Sequence, residues 1–210
     1  AEITNYPMNS SIRAIAAIDS QTVWFAGSGG QFGYTENGGQ NWTIDSIKHD
    51  NKAPEFRSIV VTNSAVFLLS IASPALLYKS VDKGKNWDLV FTDTDTSAFY
   101  NSMTFVDDQT GFAVGDPQNG CLTLIKTTNG GQNWTKIGCD ILPPTADGEA
   151  GFAASNTNVI AKNNHVWLVS GGKKARVFYS SDLGKKWEVF DTPIIQGGAM
   201  TGIFSAAFYD

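Results

Sequence analysis

The stretch Thr35-Glu36-Asn37-Gly38-Gly39-Gln40-Asn41-Trp42 returns three times along the chain, as Ser80-Val81-Asp82-Lys83-Gly84-Lys85-Asn86-Trp87, Thr127-Thr128-Asn129-Gly130-Gly131-Gln132-Asn133-Trp134 and Ser180-Ser181-Asp182-Leu183-Gly184-Lys185-Lys186-Trp187. Each copy reads Ser/Thr-x-Asp/Asn-x-Gly-x-x-Trp. The residue types are those of a turn. Asn37, Asp82, Asn129 and Asp182 can bond their own backbone, and Gly39, Gly84, Gly131 and Gly184 can take the positive φ that a side chain forbids. Trp42, Trp87, Trp134 and Trp187 then open a strand and supply a large ring to bury between sheets. These twelve residues are read as structural, not catalytic.

The tryptophans lie 45, 47 and 53 residues apart, close to the ~40 to 50 residues of a four-stranded propeller blade. Around each motif, short runs rich in β-branched and aromatic residues supply the strands. The runs are 11–18, 23–27, 32–35 and 42–47, then 56–61, 66–71, 76–80 and 87–91, then 100–106, 111–115, 122–127 and 134–137, and last 152–161, 166–170, 176–180 and 187–190. The expectation is an all-β propeller of four-stranded antiparallel blades, one domain over 1–210, with blades at about 11–47, 56–91, 100–137 and 152–190. Residues 202–208 read as the first strand of a fifth blade. A ring of six to eight blades needs roughly 270 to 360 residues, so the chain is expected to be part of a ring of about seven blades, completed by further residues or by another chain.

Composition agrees and narrows the function. Of 210 residues, 42% are hydrophobic and 17% charged, and 28 are Gly or Pro, a profile of many turns and uncharged polar surface. The longest apolar stretch, 65–78, is interrupted by Ser70, Ser73 and Pro74 and is shorter than the ~20 residues of a membrane helix. With 15 basic and 20 acidic residues the net charge is −5, and no basic run offers a footprint for nucleic acid. Gly27-Ser28-Gly29-Gly30 precedes a strand and not a helix, so no dinucleotide or phosphate loop is indicated. No cofactor and no metal site is implied. Cys121 and Cys139 flank Gly130 symmetrically; they either face each other across a hairpin as a disulfide or are two separate small core residues. The start at Ala1-Glu2, with neither Met nor an apolar leader, fits trimming by a signal peptidase and an engineered start equally. Export, periplasmic or extracellular in a bacterium, is the expectation.

Up-and-down blade topology sorts the polar residues. Arg13, Arg57 and Tyr100 each follow an apolar residue and fall near the start of an innermost strand, while Asp116 and Glu149 lie on loops of the same face. Five polar side chains are therefore expected at one funnel, a usual place for ligands. Two guanidiniums there can clamp a carboxylate, sulfate or phosphate, and the competing expectation pairs Arg13 and Arg57 with Asp116 and Glu149 in a structural network.

The repeated turns resemble the Asp-box, or bacterial neuraminidase repeat. Beyond them, Ser11-Ile12-Arg13, Phe56-Arg57, Phe99-Tyr100, Gly115-Asp116-Pro117, the segment from Gly148 to Ser155, Ser170-Gly171-Gly172 and the segment from Gly202 to Phe208 are similar to the photosystem II stability/assembly factor-like propellers. The resemblance is more distant to sialidase-like and sortilin-type propellers. It implies an exported binding or assembly module, taking a protein partner, an acidic glycan or a small anion at the Arg-bearing funnel. The alternative it implies is a sialidase-like glycoside hydrolase acting on a carboxylated sugar, with Tyr100 as nucleophile, Glu149 as its base and Asp116 as acid. This chain departs from the family pattern at Asn101, commonly Asp, and at Asn156, commonly Gly. It holds only three arginines, and Arg176 is expected on a third strand, away from Arg13 and Arg57.

Overall fold

The computed structural model describes residues 10–153 and 155–209; the chain start at Ala1-Glu2 and Ala154 of the 148–155 segment lie outside them. Four four-stranded antiparallel sheets follow one another, each with its strands hydrogen-bonded in chain order. The first comprises β1 (Ile12–Ala17), β2 (Val23–Gly27), β3 (Gln31–Thr35) and β4 (Thr43–Ser46). The second comprises β5 (Phe56–Val61), β6 (Val66–Ser70), β7 (Ala75–Ser80) and β8 (Asp88–Asp93). The third comprises β9 (Tyr100–Phe105), β10 (Gly111–Gln118), β11 (Cys121–Thr127) and β12 (Thr135–Ile137). A two-residue strand β13 (Glu149–Ala150) pairs with β16 (Gly171–Gly172) beside the fourth sheet, which comprises β14 (Val159–Lys162), β15 (His165–Val169), β17 (Arg176–Ser180) and β18 (Glu188–Asp191). Among the described residues the one helical piece is the three-residue turn Ser28–Gly30.

The first strands β1, β5, β9 and β14 neighbour one another from sheet to sheet, and the sheets stack face to face. Three apolar cores fill the spaces between them. Phe56, Trp24 and Leu68 lie between sheets one and two, Phe67, Tyr100 and Ile125 between two and three, and Phe112, Leu124 and Phe178 between three and four. A strand covered on both faces cannot alternate in polarity. β6 (Val66–Ser70) is accordingly buried at every position, whereas β4 at the rim is exposed throughout.

The four repeated turns share one hydrogen-bond pattern. The hydroxyls of Thr35, Ser80, Thr127 and Ser180 donate to Oδ1 of Asn37, Asp82, Asn129 and Asp182 at 2.9–3.0 Å. The same hydroxyls accept from the N–H of Gly39, Gly84, Gly131 and Gly184 at 2.8–3.0 Å. Each Oδ1 also accepts the N–H four residues on, from Asn41, Asn86, Asn133 and Lys186. The Asn86 N–H is the main cause that draws the Asp82 carboxyl down to about 2. It stays an ionised acceptor inside its turn.

Each turn after the first rests on the preceding sheet. A Cβ on Gly84 would come within 3.0 Å of the Phe32 ring, on Gly131 within 2.3 Å of Phe67, and on Gly184 within 3.3 Å of Phe112. The tryptophans immediately before β8, β12 and β18 pack at the same seams. Trp87 meets Phe32 edge-on at 5.0 Å, and Trp134 meets Phe105 edge-on at 5.7 Å and Phe67 at 6.4 Å. Trp187 joins the third core beside Phe112.

Two expected strands take other forms. The run 152–161 yields strand only at Val159–Lys162, and the described residues of the run before it form no strand. Residues 202–208 form a single bridge, Gly202 with Gly171. The remainder lies along sheet four through Ile203 N–H to Ser170 O (3.2 Å) and Ala206 N–H to Thr157 O (3.3 Å), with Phe208 edge-on to Trp167. A strand needs a ladder on at least one side, and two isolated bonds do not make one. Cys121 and Cys139 form a disulfide with their Cα atoms 5.5 Å apart, at the open end of the β11–β12 hairpin whose register pairs Leu124 with Ile137.

Gly131→Ala combines a left-handed φ of +72° with a clash against Phe67, whereas Gly120→Ala, at φ +92°, meets nothing within 4 Å. Denaturant titration is expected to show a loss of about 1 kcal/mol for Gly120→Ala and about 3 kcal/mol for Gly131→Ala. Equal losses would mean that the turn does not bear on the Phe67 ring.

Candidate functional site at the mouth of the first strands

Register shifts near the ends of three first strands build the site. In β1 the pairing steps from Ile12↔Gly27 to Ala14↔Ala26, in β5 from Phe56↔Ser70 to Ser58↔Leu69, and in β9 from Tyr100↔Gly115 to Ser102↔Val114. One residue is left over in each strand: Arg13, Arg57 and Asn101. A β-bulge re-aims its extra side chain and is common beside binding sites. The three bulge residues are spaced 44 and 44, so Asn101, not Tyr100, is the structural counterpart of the two arginines. The Phe99-Tyr100 alignment is one residue out of step.

Tyr100 is placed in the core between sheets two and three, fully buried, and its hydroxyl donates to Asp93 Oδ2 at 3.0 Å. Burial, followed by the Asp93 charge, pushes the phenol well above its ordinary value, which holds it protonated. Burial also works against the Asp93 carboxylate, but the Lys136 ammonium at 2.9 Å, the Asp95 N–H and the Tyr100 hydroxyl outweigh it and set its pKa below the usual range. Lys136 reaches on to Gln118 Oε1, so Tyr100 closes a buried polar network.

Glu149 is likewise occupied. Its side chain is fully buried and forms a bidentate pair with Arg176, whose Nε lies 3.0 and 3.1 Å from the two carboxylate oxygens and whose Nη2 bonds Oε2. Ser170 Oγ donates to Oε1, the Ala146 N–H donates to Oε2 (2.8 Å), and Arg176 Nη2 also donates to Pro144 O (2.9 Å). A buried carboxylate needs this degree of satisfaction. Arg176, expected at the periphery, is therefore the partner of Glu149, and Arg13 and Arg57 are not. Tyr100 and Glu149 share no hydrogen bond, and a nucleophile and base pair does not assemble from them.

What remains at the mouth is Arg13, Arg57, Asn101 and Asp116. Arg13 is exposed and Arg57 half-buried; Arg57 Nε is buried with no hydrogen-bond partner. Burial, and then the neighbouring Arg13 charge, lower the Arg57 pKa against the opposing pull of Glu55. Two guanidiniums that repel each other across a half-dry site favour any ligand carrying a carboxylate, phosphate or sulfate. Asn101 is fully buried; its Nδ2 donates to Asp116 Oδ1 at 3.0 Å and its Oδ1 has no partner. The Gly151 N–H reaches the same Asp116 oxygen at 3.1 Å. A Cβ on Gly151 would lie 1.9 Å from Asn101 Nδ2, so a side chain there would displace the Asn101 amide from Asp116. Further along the chain, Asn156 Oδ1 accepts from Ser58 Oγ, and Asn156 Nδ2 donates to Ile59 O at 3.4 Å, tying the 151–158 segment to β5.

His49 Nδ1 lies 3.3 Å from the Tyr78 hydroxyl and His165 Nδ1 lies 2.6 Å from the Tyr179 hydroxyl, on different sheets. Among the described residues no group of three or more His, Cys, Asp or Glu side chains could hold a metal ion. No helix of the described residues is long and apolar enough to cross a membrane.

Burial raises the Asp116 pKa, and the bonds from Asn101 and Gly151 only partly offset this. A carboxyl whose folded pKa is raised stabilises the fold below its unfolded pKa and loses that contribution as pH rises through the folded value. Asp116→Asn, which keeps the acceptor oxygen and removes the buried charge, is expected to raise the denaturation midpoint at pH 7 and to have no such benefit at pH 3. A midpoint difference independent of pH would contradict this assignment.

No family model matches the chain. Over 134 residues it is 27% identical to the photosystem II stability/assembly factor HCF136, chloroplastic, of Arabidopsis thaliana; the match covers 63% of this chain and 30% of that protein. The chain thus spans less than a third of the length of that curated relative. Among solved structures, YCF48 bound to D1 peptide superposes with a TM-score of 0.52 at 15% identity, covering 88% of this chain and 70% of that one. The K499G mutant of NanB sialidase from Streptococcus pneumoniae also gives 0.52, at 14% identity, covering 82% of this chain and 29% of that one. These likenesses show the architecture: the chain has an all-β fold of antiparallel four-stranded sheets like those of the YCF48 and sialidase β-propellers, with weak sequence homology to the assembly factor.

Proposed function

We propose that this chain is a binding and assembly module of an exported Asp-box β-propeller, and that it holds a partner protein at the Arg13 and Arg57 face. The observation that carries the reading is the pair of neighbouring guanidiniums, one with a buried and unpartnered Nε, raised on equivalent bulges of adjacent first strands. The homology to a stability/assembly factor, and the likeness to YCF48 bound to D1 peptide, support a protein as the partner. The fourfold hydroxyl, Asx and glycine bonding of the turns supports the Asp-box reading. The Cys121–Cys139 disulfide supports an oxidising compartment. Further four-stranded sheets, from the same polypeptide or another chain, complete a ring of about seven blades around this single domain.

The test compares chemical cross-linking of the native partner to the wild type and to Arg13→Ala/Arg57→Ala in the source cells. Charge-assisted hydrogen bonds contribute about 1.5–3 kcal/mol each, so the double variant is expected to lose at least tenfold in yield while its denaturation midpoint holds. Unchanged cross-linking would remove this face as the contact. Turnover of a fluorogenic sialoside by the wild type, lost on Arg57→Ala, would instead support the hydrolase.

A further inference from the structure

Beside the arginine pair, a cleft of about 290 Å³ opens between the loop that enters β5 and the β6–β7 hairpin. Its walls are mainly aliphatic: Ala53, Pro54, Ile71, Ala72, Pro74 and Leu76. The walls are tied together, because the Ile71 N–H donates to Glu55 O at 2.9 Å and the Gly30 N–H donates to Pro54 O at 2.7 Å. The carboxylate of Glu55, which accepts from the Gly29 N–H (3.1 Å), stands at the rim. Glu55 precedes Arg57 by two residues, and its charge acts on the Arg57 guanidinium. An acceptor of apolar surface and an acceptor of negative charge therefore lie side by side, with Asp50, Lys52 and Glu55 as the charged residues that line the apolar one.

We propose that this cleft is an anchor subsite for an extended peptide segment of the partner, receiving one large apolar side chain while an Asp or Glu of the same segment is clamped by Arg13 and Arg57. The inference rests on the reading of the arginines as a contact face and specifies the segment that they select. Residues i and i+2 of an extended peptide project from one face about 7 Å apart, which lets one short segment serve two adjoining subsites. Aliphatic walls without an exposed aromatic platform suit a leucine-like side chain and not a sugar ring.

Acetylated and amidated octapeptides, each with one Leu and one Asp separated by one to five positions in a Gly/Ser background, test this by fluorescence anisotropy. Binding is expected to be tightest at a separation of two and at least tenfold weaker at a separation of one. Leu→Ser or Asp→Asn in the best peptide is each expected to cost at least tenfold. Ala53→Trp, at an exposed wall position, fills the cleft and should abolish the dependence on Leu while leaving that on Asp; Ala72→Trp does so from the opposite wall. Arg57→Ala should do the reverse. Affinity that depends on Asp and Arg57 but is indifferent to Leu, or to both tryptophan variants, would overturn the cleft and leave the arginine face standing. Affinity indifferent to Asp and Arg57, or absent for every peptide, would overturn both.

Discussion

The contact on which the structure depends is a glycine pressed against an aromatic ring. In each of the last three turns, a left-handed glycine presents its bare Cα to the phenyl ring of the preceding sheet: Gly84 to Phe32, Gly131 to Phe67 and Gly184 to Phe112. Two requirements meet at one atom. Closing the turn needs a positive φ, and the ring leaves little room for a Cβ, least at Gly131, where one would lie 2.3 Å from Phe67. The Ser or Thr and Asx side chains hold the turn in that shape, and the tryptophan beside it fills the seam. A module that satisfies both can be placed against another copy of itself, which is how a sheet that buries only part of its apolar surface alone gains a core by repetition.

Stacking in this way sets the first strands side by side, and it is there that the chain departs from regular pairing. The bulges at Arg13, Arg57 and Asn101 loosen the ladder at the mouth while the rest of each strand stays in register. The polar residues near the mouth divide into two sets. Glu149 with Arg176, and Asp93 with Tyr100 and Lys136, are networks in which charge is matched. Arg13 and Arg57, with the idle carbonyl of Asn101, carry mismatched charge and unmet hydrogen bonds.

The repeat was fully legible in the sequence, because hydroxyl, Asx, glycine and tryptophan at fixed spacing each answer to a local physical demand. Most strand positions followed from β-branched and aromatic runs, the exceptions lying in 152–161 and 202–208, and β6, buried on both faces, shows why an apolar run without alternation reads as strand. The site was legible only in part. Arg13 and Arg57 stand on bulges of adjacent first strands, but a bulge adds one residue without altering composition, so the sequence aligns Tyr100 with the arginines where the structure has Asn101. The equal spacing of 44 from Arg13 to Arg57 and from Arg57 to Asn101 is the signal that identifies it. The Glu149–Arg176 pair was out of reach, since it joins a loop to a third strand 27 residues away through a two-residue sheet. The 202–208 segment has the composition of a strand, and composition cannot supply the neighbour it would pair with.

A double-mutant cycle between Gly131 and Phe67 tests the founding contact most directly. Gly131→Ala is measured by denaturant unfolding in the wild type and in a Phe67→Leu background, where the ring that a new methyl would strike is gone. The account predicts that the Gly131→Ala penalty shrinks by at least about 1 kcal/mol in that background, leaving the cost of the left-handed backbone alone. A penalty of the same size in both backgrounds would contradict it.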